Sequence, residues 1–460
     1  MSTRLFSLGA LATLLLLPPA PATAQQPVDP SGSLSGDGRF TMVLLGDAII
    51  TRRLAPYKEP EFLRMIELVR SADATFANLE MLLHNYEPAP AQFSGGTYMR
   101  AEPLMARELV WAGIDVVSLA NNHTGDYGDL GAALTRKYVA EAGLVGAGSG
   151  EDLYEAREAK FLETQDGRVA LIATSSSITN GSMASPPRGG VRGRPGVNPL
   201  RVIQGPRTLP RAQLETLRGA LGSIGQEVSP AGQPLNVFGT RIAVGDAAGP
   251  GSSDPDPNDM REMAAVVNNA SRLAEYVVVS IHAHSQGAYL QTFARAMVDA
   301  GADMFVGHGP HFLTGVEIYK GKPIIYSLGD FIFQNETLLR LPYENYAGVR
   351  LEDNPSAWVA DFNANRYNND TSGFPVNPLI WESVVAMPTF EGERLVSLEL
   401  HPISLGFGKP AQVRGRPMMA DRELGRKIIN DIIEASRPWG TTVEWVESRG
   451  IGIVRIPAAR

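Results

Sequence analysis

The stretch I-D-V-V-S-L-A-N-N-H-T-G-D-Y, residues 114–127, opens as a strand and closes as a set of ligands. Its first half is an apolar run of the kind that forms a parallel strand buried on both faces. Its second half delivers Asn121, Asn122, His123 and, three residues on, Asp126. In open α/β sheets the ligand crevice lies at the carboxyl ends of the strands. Two amides, an imidazole and a carboxylate placed there offer metal or oxyanion ligands on a rigid base.

Outward from this stretch the pattern recurs. Phe40 to Leu45 reads as a first strand that ends in Gly46 and Asp47, and Ala74 to Ala77 as a second that delivers Asn78, Leu79 and Glu80. Helical spacing over Pro60–Ser71, Glu102–Trp111 and Leu130–Ala142, with Gly143 as a stop, separates the strands. This β-α-β-α-β-α order favours a mainly parallel sheet. Arg168 to Thr174 is a fourth strand. Residues 176–260 are then dominated by Gly, Pro, Ser and Arg and are expected to be a long, mostly irregular insertion. The alternation resumes with helix Met260–Glu275, strand Tyr276–Ile281, helix Leu290–Ala300 and strand Asp303–Val306, then a hairpin around K-G-K-P (320–323). Residues 341–380 form a second expected insertion. Residues 381–460 are expected to complete the fold with a hairpin (Glu382–Phe390 and Arg394–Pro402), the amphipathic helix Asp421–Ser436 and a β-pair within Thr442–Ile456.

The chain of 460 residues is 44% hydrophobic and 20% charged, as a globular protein of one large or two ordinary domains would be. A net charge of −8 gives no electrostatic support to nucleic-acid binding. The absence of cysteine excludes disulfides, thiolate zinc sites and cysteine nucleophiles. At the N-terminus, Arg4, the apolar run Leu5–Leu17 and the small residues Ala22, Thr23 and Ala24 have the order of a signal peptide, residues 1–24. The run is too short to span a bilayer comfortably. Residues 25–39 read as a polar, flexible leader before a domain spanning 40–460. The mature protein is expected to be exported to the periplasm or beyond, with no stable membrane span.

Of seven histidines, His123, His282, His284, His308 and His311 all follow directly on strands. One alone would be read as structural; five in corresponding positions point to a catalytic site, to which Asp330 is added. With Asp47, Glu80 and Asn122, the imidazoles of His123, His282, His308 and His311 make a nitrogen and oxygen ligand set suited to Zn²⁺, Mn²⁺ or Fe. One or two ions there would polarise a phosphoryl or carbonyl oxygen. Without metal, the same groups serve as general acids and bases, as in a lyase or epimerase.

The segments G-D-A-I-I-T-R (46–52), N-L-E-M-L-L (78–83), D-V-V-S-L-A-N-N-H (115–123), V-V-V-S-I-H (277–282), G-A-D-M-F-V-G-H-G-P-H (301–311) and I-Y-K-G-K-P-I-I-Y-S-L-G-D-F (318–331) occur in this order. Together they resemble the CapA family of capsule and poly-γ-glutamate synthesis proteins, whose fold is similar to that of calcineurin-like metallophosphoesterases. The resemblance implies a four-layer α-β-β-α sandwich with long irregular insertions and a site at the strand ends. It sets Asp47 at the first metal ligand and Glu80 at the bridging carboxylate. Asn122 and His123 stand at the Asn-His motif, and His282, His308 and His311 at the later histidine ligands. Four departures belong to this chain. Ile49 stands where phosphoesterases have the histidine of Asp-x-His, and the two histidines of G-H-G-P-H are one residue further apart than in Gly-His-x-His. H-A-H-S-Q-G (282–287) replaces the family's H-W-G-x-E-Y, and Asp330 stands where Asn is common.

Three arginines are candidates for substrate binding. Arg52 matches the basic residue of the first family motif. Arg192 and Arg194 belong to an arginine run that reads either as a lid for an anion or as a solvated loop. Asp126 reads either as the partner orienting His123 or as a cap for the next helix. The function expected is metal-assisted hydrolysis or transfer on an anionic small molecule, acidic polymer, peptide or phosphoester, linked to polymer-synthesis machinery. Metal-independent acid–base catalysis and a non-catalytic assembly role are the alternatives.

Overall fold

The computed structural model describes residues 38–457. The expected signal peptide and nearly all of the expected leader lie outside the described residues. The first strand begins at Arg39, the last residue assigned to that leader, and runs to Ile49.

Two sheets carry the fold. In the larger, the strand path is Val443–Val446, Ile451–Val454, Arg394–Ser404, Glu382–Glu391, Arg39–Ile49, Ala74–Asn78, Val116–Ser118 and Val145–Ala147, with Asp330–Phe333 also paired to the first strand. In the second, the order is Val316–Tyr319, Lys322–Ile325, Met304–His308, Tyr276–His282, Gly167–Ser175 and Lys160–Thr164. The strands that precede the motifs pair in parallel, and the C-terminal hairpin extends the larger sheet antiparallel.

Because side chains alternate across a strand, each apolar run is divided between two faces. Val43 and Leu45 face a core shared with helices Pro60–Val69, Leu104–Ala112 and Gly128–Ala142, while Phe40, Met42 and Leu44 face the other sheet. In the second sheet, Tyr276 and Val278 join that inter-sheet core, and Val277, Val279 and Ile281 pack on helices Pro257–Ala270 and Ala288–Asp299. Helix Arg422–Ser436 contributes Ile428, Ile429 and Ile432 to the inter-sheet core. Helices, sheet, sheet, helices: the architecture is a four-layer α-β-β-α sandwich. Each fully buried aliphatic or aromatic side chain in these layers stabilises it by about 1.5–3 kcal/mol.

Alternation also decides what happens at the carboxyl ends. Asn78 continues the face of Ala74 and Phe76, Ser280 and His282 that of Tyr276 and Val278, and His308 that of Met304 and Val306. All point between the sheets. Strict alternation from Leu44 would place Gly46, not Asp47, on this face. The register with the neighbouring strand slips between Leu44 and Asp47: Leu44 opposes Phe76 and Asp47 opposes Asn78. The extra residue is a β-bulge, and it re-aims the following side chain. Gly46 permits it, because a Cβ there would lie 1.9 Å from the Gly329 carbonyl oxygen.

The insertions are less irregular than their composition suggests. Residues 176–260 contain helix Arg211–Ser223 and a small sheet of Arg207–Leu209, Thr240–Val244 and Leu235–Val237. Helix Pro257–Ala270 starts inside the expected boundary, at a proline after the Asp256 cap. Residues 341–380 contain helices Tyr343–Gly348 and Val359–Arg366. Strands of three to five residues carry too little periodicity to be read against a Gly- and Pro-rich background.

The Gly46→Ala variant is therefore expected to lose about 1–3 kcal/mol or more through overpacking at the bulge. Gly219→Ala, in a helix with open space around it, is expected to be neutral or stabilising by up to about 1 kcal/mol. Urea denaturation of both variants checks the contrast.

Candidate metal centre

Register aligns the strand ends into two facing rows. Asp47 lies opposite Asn78 and Asp330 in the larger sheet, and His282 lies opposite His308 in the second. Asp47 is fully buried. Its Oδ1 accepts from Asn78 Nδ2 at 2.7 Å, and its Oδ2 accepts from the Gly309 N–H at 2.9 Å. Gly309 has φ +113°, a conformation glycine adopts at low cost. The Nδ1 atoms of His308, His311 and His282 stand 3.3, 3.5 and 3.7 Å from the same carboxylate. Burial opposes ionisation of Asp47, but hydrogen bonds and charge from His282 and His308 outweigh it and hold the carboxyl well below the usual range.

Glu80 is the counterpart without donors. It is fully buried, and both of its oxygens lack a hydrogen-bond partner. Its Oε1 is surrounded by Nε2 of His123 and His282 at 3.7 Å and of His311 at 4.0 Å. Burial and the negative charge of Asp47 push the Glu80 carboxyl well above its usual range.

The imidazoles are linked to one another and to fixed partners. His282 and His308 meet through Nδ1 atoms 3.1 Å apart, and His282 and His284 through Nε2 atoms 3.1 Å apart. Ser280 Oγ lies 2.8 Å from His308 Nε2. His311, in the left-handed region at φ 62°, lies 2.9 Å from Asp330 through Nδ1. His123 Nδ1 is 2.7 Å from Asp126 Oδ2. Asp126 also accepts from the N–H groups of Gly95 and Met99, at 2.8 Å each, so it orients His123 and makes no helix cap. Burial pushes His282 down to about 3; burial and the charge of His311 push His284 down to about 4. For His311 burial is outweighed by Asp330, Glu80 and Asp47, which raise it to about 10. Burial raises Asp330 to about 7, against the pull of His311.

The donor set fits a divalent cation. Ligand atoms of Asp47, His282 and His308 lie within 4.8 Å of one another, as do those of Glu80, His284 and His311, and those of Asp47, His311 and Asp330. Besides both Glu80 oxygens, Asn78 Oδ1, Asn122 Oδ1 and Asp330 Oδ2 are buried without a donor. Buried acceptors are normally paired, and a cluster of orphaned oxygens among imidazoles is what a cation satisfies. Asp47 belongs to two of the three sets and Glu80 to the other.

The other expected residues lie as follows. Asn122 gives its Nδ2 to the Gly95 carbonyl at 2.9 Å. Arg52 gives its guanidinium to the carbonyls of Gln412 and Arg414. Arg192 and Arg194 are exposed, with Arg194 Nε donating to the Met183 carbonyl at 2.8 Å. Sequence reading passed over Asn78 and Ser280. Their signal was parity with Phe76 and Val278, which places both between the sheets.

A family model described as bacterial capsule synthesis protein PGA_cap matches residues 41–335. The chain belongs to this family. An uncharacterized protein, y4sH, of Sinorhizobium fredii (strain NBRC 101917 / NGR234) is 34% identical over 445 residues, covering 91% of this chain and 93% of that one. The capsule biosynthesis protein CapA of Bacillus anthracis is 25% identical over 64% of this chain and 60% of its own. A probable polyglutamine synthesis accessory protein of Mycobacterium tuberculosis (strain ATCC 25618 / H37Rv) is 27% identical over 47% of this chain and 44% of its own. The PGA_cap match spans every strand end that contributes to the centre, from Asp47 to Asp330.

In metal-free protein, ring-nitrogen NMR is expected to find His282 neutral down to about pH 3 and His311 charged up to about pH 10. The linked stabilities have opposite signs. An unfolded chain protonates His282 near 6.5, so its contribution is lost as the pH falls below 6.5 toward 3. That of His311 is fully present below 6.5 and is lost as the pH rises toward 10.

Proposed function

We propose that this chain is an exported, metal-dependent hydrolase or transferase acting on an anionic substrate in capsule or poly-γ-glutamate-type polymer synthesis. One observation carries the reading: the Glu80 carboxylate, sealed from water and without a single hydrogen-bond donor, faces three imidazoles. Leaving a carboxylate so placed costs several kcal/mol unless a cation or a proton compensates it.

Asp47, His282 and His308 would hold one ion, and Glu80, His284 and His311 a second, with Asn122 Oδ1 a further buried acceptor. Mn, Zn and Fe suit this nitrogen and oxygen set. A divalent ion supplies Lewis acidity toward a phosphoryl or carbonyl oxygen there. The remaining work falls to the chain. Asp126 fixes the His123 ring, so that its Nε2 is the atom that holds or moves a proton at the centre. His284, neutral and exposed, is the member of the second set that faces the open side of the centre. Asp330, 2.9 Å from His311 Nδ1, keeps that ring in place beside Asp47. Acidic polymers, peptides and phosphoesters all present the oxygen anions that such a centre binds.

Export rests on the signal-peptide order of residues 1–24. Among the described residues no helix is long and apolar enough to cross a membrane. A link to polymer-synthesis machinery rests on the family and on the relatives named for capsule and polyglutamine synthesis.

Elemental analysis of residues 25–460, beside the Asp47→Ala and His308→Ala variants, tests the reading. Near-stoichiometric Mn, Zn or Fe, lost in both variants, is expected. A native protein that holds no metal and takes up none on titration would overturn it and leave acid–base chemistry by the same imidazoles and carboxylates. Separately, Asp126→Asn is expected to lower turnover by about 10–100-fold, the usual cost of losing the partner that orients a histidine of the centre, with metal content unchanged. Circular dichroism should show the fold retained.

A further inference from the structure

The centre has one open side. Asp47, Glu80, His282 and His308 are buried, whereas His284 is exposed and His311 partly so. The second insertion stands on that side. Phe374 meets the His311 ring edge to face, with centroids 6.0 Å apart. The Arg366 guanidinium lies 5.8 Å from the Phe374 ring and 5.2 Å from that of Tyr367. Its hydrogen-bond acceptor is Thr97 Oγ1. Thr97 is the middle of the loop Gly95–Met99, whose two ends donate to Asp126 and so frame His123. A Cβ on the neighbouring Gly96 would stand 3.8 Å from His123 Cε1.

Arg366 is thus tied on one flank to the ring over His311 and on the other to the loop around His123. Among the described residues it forms no ion pair, in contrast to Arg414 and Arg416 nearby, which hold Glu336 and Glu59. A guanidinium fixed by aromatic faces and one hydroxyl keeps most of its five N–H donors free. Such a group pairs bidentately with phosphate or carboxylate.

We propose that Arg366 is the substrate-positioning residue of this centre, receiving an oxyanion group of the substrate at the mouth formed by Phe374 and the Gly95–Met99 loop. The assignment rests on the centre being the reacting site. It names the substrate class, a molecule with a phosphoryl or carboxylate group next to the bond that reacts. It also gives the second insertion a task, because the helix Val359–Arg366 ends at this residue.

The test is calorimetric titration of residues 25–460 with inorganic phosphate and, in parallel, with glutarate, for the native protein, Arg366→Gln and Arg366→Lys. Metal content and thermal melting are measured on the same preparations. Expected are about tenfold or greater weakening for Arg366→Gln toward one of the two anions, partial recovery in Arg366→Lys, and unchanged metal content. The weakened anion tells phosphoryl from carboxylate recognition. Unchanged affinity in a folded Arg366→Gln protein, or no binding of either anion by the native protein, overturns the assignment while leaving a metal-loaded centre standing. Weakened binding in Arg366→Gln, beside a native protein that binds the anion but holds no metal, keeps Arg366 in this role and removes the metal-dependent reading instead. If Arg366→Gln fails to melt cooperatively, the Lys variant decides: weakened affinity with the fold intact supports the assignment, and native-like affinity for both anions overturns it.

Discussion

The carboxylate of Asp47 is ionised and sealed between two sheets, and the centre exists only because that charge is satisfied. Taking a carboxylate out of water costs several kcal/mol unless donors replace the water. Here the donors come from different parts of the chain, the Asn78 amide from the neighbouring strand and the Gly309 N–H from the end of the opposite sheet, with the imidazoles of His308 and His282 standing 3.3 and 3.7 Å away. A slip of one residue in either sheet would turn one of these groups to the wrong face. Correct sheet pairing and assembly of the centre are therefore one event, and the inter-sheet apolar core enforces the register that the polar groups require.

Asp47 reaches this position through a departure from regular structure. The bulge after Leu44 shifts it onto the inter-sheet face, and the close approach of Gly329 to Gly46 fixes the bend. The same glycine carbonyl accepts the Asp47 N–H at 3.1 Å. Backbone and side chain of Asp47 are thus held by separate parts of the chain, which gives a rigid base to groups that approach from the insertions.

The strands supply the buried members of the centre, and the insertions supply its surroundings. Ser177 Oγ accepts from the His284 N–H at 2.8 Å, and Thr179 Oγ1 donates to the Asn122 carbonyl at 2.6 Å, both from the start of the first insertion. Phe374 and Arg366 come from the second. Arg52 has a different use: by holding the carbonyls of Gln412 and Arg414 it joins the turn after Asp47 to the C-terminal segment. This division matches the general one between a scaffold that fixes geometry and loops that meet the substrate.

Much of the fold was legible because apolar runs and helical periods are local properties. The strands ending at Asp47, Asn78, His282 and His308, the helices between them and the C-terminal hairpin are all readable from spacing alone. The ordered motifs identified the family, and the position of five histidines after strands marked the centre. What spacing could not reveal was which face each strand end presents, since a bulge inverts the alternation without altering composition. Nor could it find Arg366, more than 200 residues from His123 in the chain yet bound to the loop around it. Sequence by itself determined the elements and the kinds of ligand at their ends, because these depend on neighbours along the chain. Only the tertiary structure decided which imidazole faces which carboxylate, which arginine reaches the loop around His123 and which oxygens are left without donors, because pairing and desolvation depend on neighbours in space.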